Sequence, residues 1–227
     1  MKHIFIAGNW KSNKTSQEAN DWLTRFRDQC DALKINFDAC TVVVCPPYLV
    51  LPTMAWQLQS KPLSISLAAQ DVSGFDAGAY TGEVTAAMIK GVADWVVIGH
   101  SERRKYFGET DELLGKKTEK AKTAGLKVIY CVPDDATQVP PGVDVVAYEP
   151  VWAIGTGKTD SPENANQVVS AIKSKTGASV VIYGGSVTAE NVATFVAQPA
   201  IDGVLPGGAS LDPEKYAHLV AAATGNP

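Results

Sequence analysis

The chain has 227 residues, of which 45% are hydrophobic, and its formal net charge at pH 7 is −4. An α/β barrel of this size is routinely one domain, so we expect a single domain over 1–227 with a substantial core. The weak acidic charge argues against nucleic acid and anionic membrane as partners, so any anionic ligand must be bound by local groups.

The cysteine and histidine content bears on metals and on cell compartment. Four cysteines stand at irregular spacings without a C-x-x-C pair, and the chain has only three histidines. This pattern indicates neither a metal site nor a disulfide framework, and it favours reduced thiols. The first apolar run is too short for a signal peptide, and no run approaches 18 apolar residues. We therefore expect a soluble, cytoplasmic protein.

Short runs rich in Val and Ile alternate with amphipathic patterns along the chain. The runs are almost continuously apolar, which is typical of parallel strands buried on both faces. The predicted strands are 4–8, 41–45, 63–68, 95–99, 127–132, 143–148, 180–184 and 202–205. Polar caps, two of them followed by proline, predict helices between these strands. The predicted helices are 16–33, 54–58, 110–124, 161–175, one that begins at Thr188 and one that begins at Asp212.

Eight strands with crossover helices fit either a closed (β/α)8 barrel or an open doubly wound sheet. The strand count, the spacing and the lack of a Gly-rich turn after the first strand favour the barrel. The fifth crossover is unusual, because 133–142 contains three prolines and is too short for a full helix. A parallel crossover normally needs a dozen or more residues. We expect a shortened fifth crossover that leaves part of the outer face without its covering helix.

Polar side chains follow the first, fourth and sixth strands, and barrel active sites lie at these C-terminal strand ends. Burial of Glu149 would raise the pKa of its carboxyl toward the range of a general base, but an ion pair with an arginine such as Arg103 is an alternative. His100 is either a structural residue or an electrophile kept neutral by a short helix that begins beside it. Lys11, close to Asn9, is either functional or a solvated loop charge.

Two double glycines follow the last two strands, as Gly184-Gly185-Ser186 and Gly207-Gly208. Glycine lets backbone N–H groups approach an anion, and these two positions match the recurrent phosphate site of barrels. Together with the polar residues after the first, fourth and sixth strands, these glycines suit proton abstraction next to a carbonyl in a small phosphorylated substrate.

Seven ordered motifs across nearly the whole chain resemble triosephosphate isomerase, a family with the TIM-barrel fold. They are GNWK (8–11), AQDV (69–72), GAYTGE (78–83), IGHSERR (98–104), AYEPVWAIGTGK (147–158), YGGSV (183–187) and GGASL (207–211). The resemblance implies an isomerase of glycolysis and gluconeogenesis that interconverts dihydroxyacetone phosphate and D-glyceraldehyde 3-phosphate without a cofactor. Glu149 would be the base, His100 the neutral electrophile and Lys11 the electrostatic stabiliser of an enediolate.

The resemblance also implies further site residues and an assembly. Thr81 would reach across an interface to the partner subunit's Asn9, in a homodimer or homotetramer. The implied substrate-binding residues are Asn9, Lys11, Gly155, Ser186, Gly207 and Gly208. The implied lid is Pro150, Val151, Trp152, Ala153, Ile154, Gly155, Thr156, Gly157 and Lys158.

Three features depart from the family pattern. The missing fifth helix resembles compact archaeal members that form tetramers, and the uncovered face would support association beyond a dimer. Asp134 stands near the position of a glutamate that normally supports the lid tryptophan, here Trp152. Pro206 precedes the second double glycine, where we expect phosphate binding to survive.

Two other functions stay open at this stage. A Schiff-base aldolase needs a lysine with a depressed pKa inside the barrel, and only Lys11 lies at a strand end. A non-catalytic phosphate-binding barrel would be expected to lose one of the four polar strand-end residues, whereas all four are present.

Overall fold

The computed structural model describes residues 2–151 and 159–225. Within them, parallel strands form a closed barrel in which each strand pairs with the next and the last pairs with the first. The (β/α)8 prediction is therefore confirmed. The strands are Ile4–Asn9 (β1), Cys40–Cys45 (β2), Ile65–Ala69 (β3), Trp95–Ile98 (β4), Lys127–Val132 (β5), Val145–Tyr148 (β6), Val181–Tyr183 (β7) and Gly203–Val204 (β8).

The helices follow the strands in alternation. In the described ranges they are Ser16–Ala32 (α1), Leu51–Ser60 (α2), Ala86–Lys90 (α3), Ser101–Phe107 (α4), Asp111–Thr123 (α5), Pro162–Thr176 (α6), Val192–Val196 (α7) and Pro213–Ala223 (α8). The predicted helix start at Thr188 is wrong, because 188–191 form a turn before α7. The one-turn helix α3 was not predicted, since five residues are too few for a visible period.

Capping residues explain where the main helices begin. Thr15 and Glu18 form a reciprocal capping box at the start of α1. Ser161 caps α6 and Asp212 caps α8, each followed by proline at the first helical position. These local signals account for the accurate predictions of α1, α6 and α8. None of the helices in the described residues is long and apolar enough to span a membrane.

The core has two layers that follow from the alternation of side chains along each strand. One set of alternate strand residues, such as Phe5, Val43 and Ile129, packs inside the barrel. The other set, such as Ile6 and Val128, packs outward against the helices. The carboxyl ends of the strands thus form one rim above a packed interior, and the residues after each strand meet there.

The fifth crossover contains no helix from 133 to 144, as predicted. The expected uncovered apolar face is nevertheless absent in this described segment, so that prediction is wrong. The outward-facing Tyr130 and Val146 are fully buried, and Val139 and Val143 of the crossover itself pack against the same core cluster. An extended loop with two inward valines therefore replaces the cover that a helix gives elsewhere.

Candidate active site

The strand ends enclose one cavity of about 760 Å³ at the carboxyl rim of the barrel. It is lined by residues that follow β1, β4, β6, β7 and β8, because barrel closure brings these strand ends to one side. Most of the described residues predicted for the site lie in its wall, namely Asn9, Lys11, His100, Glu149, Ser186, Gly207 and Gly208.

Glu149 follows the last residue of β6 and is 2% exposed. Its backbone N–H donates to the carbonyl of Val132 at 2.8 Å, which continues the pairing with β5. Its Oε2 accepts a hydrogen bond from the N–H of Ser101 at 2.8 Å. Its Oε1 lies 2.9 Å from Nε2 of His100. Both carboxylate oxygens are therefore bound to the start of α4.

His100 is the N-cap residue of α4 and is also buried. Its Nδ1 accepts the N–H of Glu102 at 3.3 Å. In a neutral ring the proton then lies on Nε2, which donates to Glu149. The alternative of an ion pair between Glu149 and Arg103 is wrong, because Arg103 contacts Asp71 and Glu109 instead.

The pKa values of this pair are coupled. Burial raises the pKa of Glu149, but the charge of His100, their hydrogen bond and the Ser101 N–H lower it by more, to below the ordinary 4.5. The expected rise of the Glu149 pKa is therefore wrong. Burial lowers the pKa of His100, but the Glu149 carboxylate raises it by more, to above the ordinary 6.5. The helix N-terminus alone does not decide the state of the ring.

Lys11 lies just after β1, with its Nζ 2.5 Å from Oε1 of Glu102. Its backbone φ is 51°, which is uncommon for a residue with a side chain. Asn9 Oδ1 accepts the Lys11 N–H at 3.0 Å, and Gln70 Nε2 donates to the Lys11 carbonyl at 3.0 Å. Side chains from two strand ends therefore hold Lys11 in this conformation.

Several supporting residues were not assigned from the sequence. Gln70 also donates to the carbonyl of Cys45, and its position directly after β3 was the available signal. Ser101 and Glu102 follow His100 in the same motif, but their partners depend on the barrel. Cys131 is fully buried in the interior cluster at the end of β5.

The two double glycines differ in their surroundings. A Cβ at position 184 would lie 3.0 Å from Cγ of Glu149, and a Cβ at 185 would lie 2.1 Å from the hydroxyl of Tyr183. A Cβ at 207 would lie at an ordinary 3.5 Å from Lys11, and one at 208 would meet nothing within 4 Å. All four glycines line the cavity, but a side chain at either residue of the first pair would collide with the protein, whereas one at the second pair would not.

The residues around Pro206 show why proline is accepted there. The Pro206 carbonyl accepts the N–H of Asn9 at 2.9 Å, so its backbone contributes an acceptor to the rim. Ser210, in the short turn after the glycines, is fully buried and donates its hydroxyl to the Gly207 carbonyl at 2.7 Å. These bonds connect the end of β8 to β1 without using the missing N–H.

Some predicted site residues fall outside the described ranges. These are 152–158, which include Gly155 and Trp152; of the expected lid, only the buried Pro150 and the exposed Val151 are described. Asp134 accepts hydrogen bonds from Ala136 and Thr137 at Oδ1, within its own turn. Its contribution to the support of Trp152 stays a prediction. In the part of the chain that the structure describes, no three His, Cys, Asp or Glu side chains form a group suited to a metal ion.

The fold is a closed (β/α)8 barrel, and its site holds a buried carboxylate–imidazole pair beside a glycine-lined cavity. These features are typical of barrel proteins that carry out acid–base chemistry. Comparison with known proteins is more specific. The family model for triosephosphate isomerase matches residues 4–143 and 135–223. The two matched segments overlap in the fifth crossover, which is the region where this chain is short. The chain therefore belongs to the triosephosphate isomerase family.

Three similar proteins align with this chain over almost their whole length. Triosephosphate isomerase of Synechocystis sp. (strain ATCC 27184 / PCC 6803 / Kazusa) is 43% identical over 97% of this chain and 98% of that protein. The same-named protein of Synechococcus sp. (strain JA-3-3Ab) is 39% identical over 97% and 95%, respectively. That of Moorella thermoacetica (strain ATCC 39073 / JCM 9320) is 40% identical over 97% and 98%. The alignments span 243 to 252 positions, more than the 227 residues here, so this chain carries deletions.

Proposed function

We propose that the chain interconverts dihydroxyacetone phosphate and D-glyceraldehyde 3-phosphate by proton transfer through an enediolate. The observation that carries this proposal is the buried Glu149–His100 pair in the wall of a cavity that Gly207 and Gly208 also line. Membership of the triosephosphate isomerase family supports the choice of reaction among those that such a pair can catalyse.

Glu149 acts as the base in this proposal. Oε1 of Glu149 is bound to His100, so one oxygen must leave that contact before it can take a substrate proton. A substrate oxygen then replaces the carboxylate at Nε2 of His100. The charge that raises the His100 pKa is thereby moved away, while burial and the Glu102 N–H still favour the neutral ring. Neutral His100 then donates a hydrogen bond to the developing oxyanion.

Other residues bind the substrate phosphate and stabilise the remaining negative charge of the enediolate. Lys11 is the fixed cation at the cavity wall, and Asn9 holds its backbone in place. Ser186 and the pair Gly207-Gly208 supply backbone groups for the phosphate. The lid over 150–158 and a phosphate contact from Gly155 stay predictions from the resemblance, as does a cytoplasmic location.

Two measurements test the reaction and the base. A coupled assay with dihydroxyacetone phosphate should show isomerisation by the wild type, and no turnover would contradict the function. Glu149→Asp retracts the carboxylate by one methylene, so we expect kcat to fall about 10²- to 10³-fold with KM within about threefold. The matched control is Glu214→Asp at an exposed position, which should leave kcat unchanged. An unaltered kcat in Glu149→Asp would overturn its assignment as base.

The aldolase alternative is less consistent with the site. The Lys11 Nζ is engaged by Glu102 Oε1 at 2.5 Å, whereas a Schiff-base lysine must direct its amine at the substrate carbonyl. Borohydride reduction in the presence of dihydroxyacetone phosphate should leave the mass of the chain unchanged. A covalent adduct on Lys11 would revive the aldolase.

We also propose a homodimer formed through the side of the barrel that follows β2, β3 and β4. Thr81 is exposed there, and the rings of Phe75 and Tyr80 stack at 4.2 Å in the same loop. All but one of the large exposed apolar side chains in the described residues belong to these three segments, and exposed apolar patches favour association. They are Leu49, Trp56, Phe75, Tyr80, Met88, Tyr106 and Phe107.

Light scattering with paired variants tests this assembly. The wild type at micromolar concentration should have twice the mass of one chain, because the fifth crossover exposes no large apolar side chain for a tetramer. Thr81→Arg should produce monomers and lower kcat/KM at least tenfold if the partner subunit completes the site. Gln138→Arg, exposed in the fifth crossover, should change neither. A fourfold mass that Gln138→Arg reduces would instead support the tetramer.

A further inference from the structure

The turn that carries Gly207 and Gly208 is attached to the rest of the protein through the residue that ends it, Ser210. Gly208–Ser210 form a single 3₁₀ turn, in which the Ser210 N–H donates to the Gly207 carbonyl at 2.9 Å. Ser210 is fully buried. A Cβ at Gly8 of β1 would lie 2.8 Å from the Ser210 Cβ, so the glycine at position 8 permits this close approach. The position of the double glycine therefore depends on what Ser210 contacts.

A tryptophan from the first helix binds the Ser210 carbonyl. Nε1 of Trp22, in α1, donates to this carbonyl at 3.1 Å, although the two residues are 188 positions apart. Trp22 is 2% exposed, so the hydrogen bond is shielded from water. In the described part of the chain, no second donor binds the same carbonyl. Loss of the indole N–H would leave a buried carbonyl unpaired, which is unfavourable.

Three aromatic rings fix the orientation of the Trp22 indole. It stacks on Phe26 of α1 with ring centroids 4.7 Å apart, and it meets the edge of Trp10, which follows β1, at 4.9 Å. The ring of Tyr216 in α8 lies at 6.0 Å. Such contacts set the plane of the indole and therefore the direction of its N–H. The hydrogen bond to Ser210 thus connects the double-glycine turn to a rigid cluster between α1 and α8.

We propose that Trp22 is a positioning residue of the phosphate site. Its N–H holds the Ser210 carbonyl, and Ser210 in turn binds the Gly207 carbonyl through its hydroxyl at 2.7 Å and its N–H at 2.9 Å. The contact thereby fixes the double glycine whose backbone groups bind phosphate in the proposed function, on which this inference rests. The hydrogen bond and ring contacts of Trp22 reach neither Glu149 nor His100. Its loss should therefore weaken substrate binding and leave the chemical step unchanged.

Two variants separate positioning from packing. Trp22→Phe removes the N–H and keeps an aromatic ring in the cluster, and we expect KM to rise about threefold to fivefold with kcat within about twofold. The matched control is Phe26→Leu, which removes the ring that stacks on the indole and leaves the Trp22 N–H in place. Both variants should lower the thermal midpoint, because both leave space in a packed core. Only Trp22→Phe should change KM.

Steady-state kinetics measures KM and kcat in the wild type and both variants. An unchanged KM in Trp22→Phe, or an equal rise of KM in Phe26→Leu, would overturn the proposal. If Trp22→Phe does not fold, the benzothiophene analogue of tryptophan at position 22 keeps both fused rings and replaces only the N–H by sulfur. This analogue should raise KM as Trp22→Phe would, and an unchanged KM would again overturn the proposal.

Binding of inorganic phosphate is the second readout, followed by the shift in the thermal midpoint as phosphate is added. The phosphate affinity should be about threefold to fivefold weaker in Trp22→Phe than in the wild type and in Phe26→Leu. Equal affinity in all three proteins would overturn the proposal. This measurement needs no turnover. A wild type that binds phosphate through Trp22 and does not isomerise would contradict only the proposed function, whereas an active wild type with a Trp22-independent KM would contradict only this inference.

Discussion

The two double glycines at the rim have the same sequence, but their surroundings differ, so glycine is present at each for a different physical reason. Gly184-Gly185 is enclosed, because Glu149 fills the space above the first glycine and the Tyr183 hydroxyl fills the space above the second. Both pairs line the cavity, but a side chain at Gly207 or Gly208 would have room there. The first pair makes room for groups of the protein itself, whereas the second leaves room for a ligand. We therefore expect glycine-to-alanine substitutions to have different effects in the two pairs.

Gly185→Ala should have the largest effect. The added methyl would lie 2.1 Å from the Tyr183 hydroxyl, and the stacked, fully buried ring has no room to withdraw. We expect a loss of about 2–3 kcal/mol in the free energy of unfolding and about a 10²-fold loss in kcat/KM. Denaturant unfolding and steady-state kinetics measure the two effects. If the free energy of unfolding and kcat/KM are both unchanged, Tyr183 can move to accommodate the methyl group.

Gly184→Ala should act on the chemical step. Its methyl would lie 3.0 Å from Cγ of Glu149 and 3.1 Å from the Tyr148 carbonyl, so the carboxylate must move by a few tenths of an ångström. A misplaced base slows proton transfer, and we expect kcat to fall about tenfold with KM little changed. The comparison with Gly185→Ala separates the two effects, because only Gly185→Ala should also lower the free energy of unfolding. A raised KM with normal kcat would place the effect on binding instead.

The Glu149–His100 pair makes stability depend on pH. The lowered pKa of Glu149 adds stability above pH 4.5 that is lost as the pH falls through its folded value. The raised pKa of His100 adds stability below pH 6.5 that is lost as the pH rises through its folded value. The stability difference between wild type and Glu149→Gln should therefore be greatest from pH 4.5 to 6.5 and smaller by about 1 kcal/mol well outside that window.

Denaturant unfolding over a series of pH values measures this difference. Glu119→Gln, at an exposed position of α5, is the control and should give a difference that does not peak in the same window. A flat profile for Glu149→Gln would mean that the carboxylate and the imidazole do not form an ion pair.

Gly208→Ala should have the smallest effect on the protein itself. No atom lies within 4 Å of the added methyl, so the free energy of unfolding should stay within about 0.5 kcal/mol. The methyl enters the cavity side, so KM should rise about threefold to fivefold. Gly115→Ala in α5 is the matched control, because it also meets no atom; it should add about 0.5–1 kcal/mol of stability with KM unchanged. Equal KM in both variants would argue against a ligand at the second pair.

Much of the barrel was predictable because its signals are local. Apolar runs predicted each strand to within a few residues, and capped starts such as Ser161-Pro162 predicted the long helices. The sixth, seventh and last strands were each predicted two residues longer than they are, because side-chain type does not show where ladder pairing stops. The turn at 188–191 was mistaken for helix because Thr188 resembles a cap, yet its N–H binds Asn191 Oδ1 in a tight turn.

The site was predictable as a set of residues and not as a set of contacts. Position after a strand identified Asn9, Lys11, His100 and Glu149, and the motifs pointed to the family. The direction of the Glu149 pKa was predicted wrongly, because burial was visible in the sequence and the partner was not. Ser101 and Glu149 are 48 positions apart and are brought together only by the barrel, so no local pattern contains that hydrogen bond.

By itself, the sequence determined the alternation of strands and helices, the polar residues at the strand ends, the short fifth crossover and the family. These depend on periodicity, capping and motifs, which are properties of neighbouring residues. Only the tertiary structure decided that Glu149 binds His100, that Gly184-Gly185 is enclosed while Gly207-Gly208 is open, and that two valines cover the fifth crossover. These depend on distances between residues far apart in the chain, which are set by the pairing of the strands in the barrel.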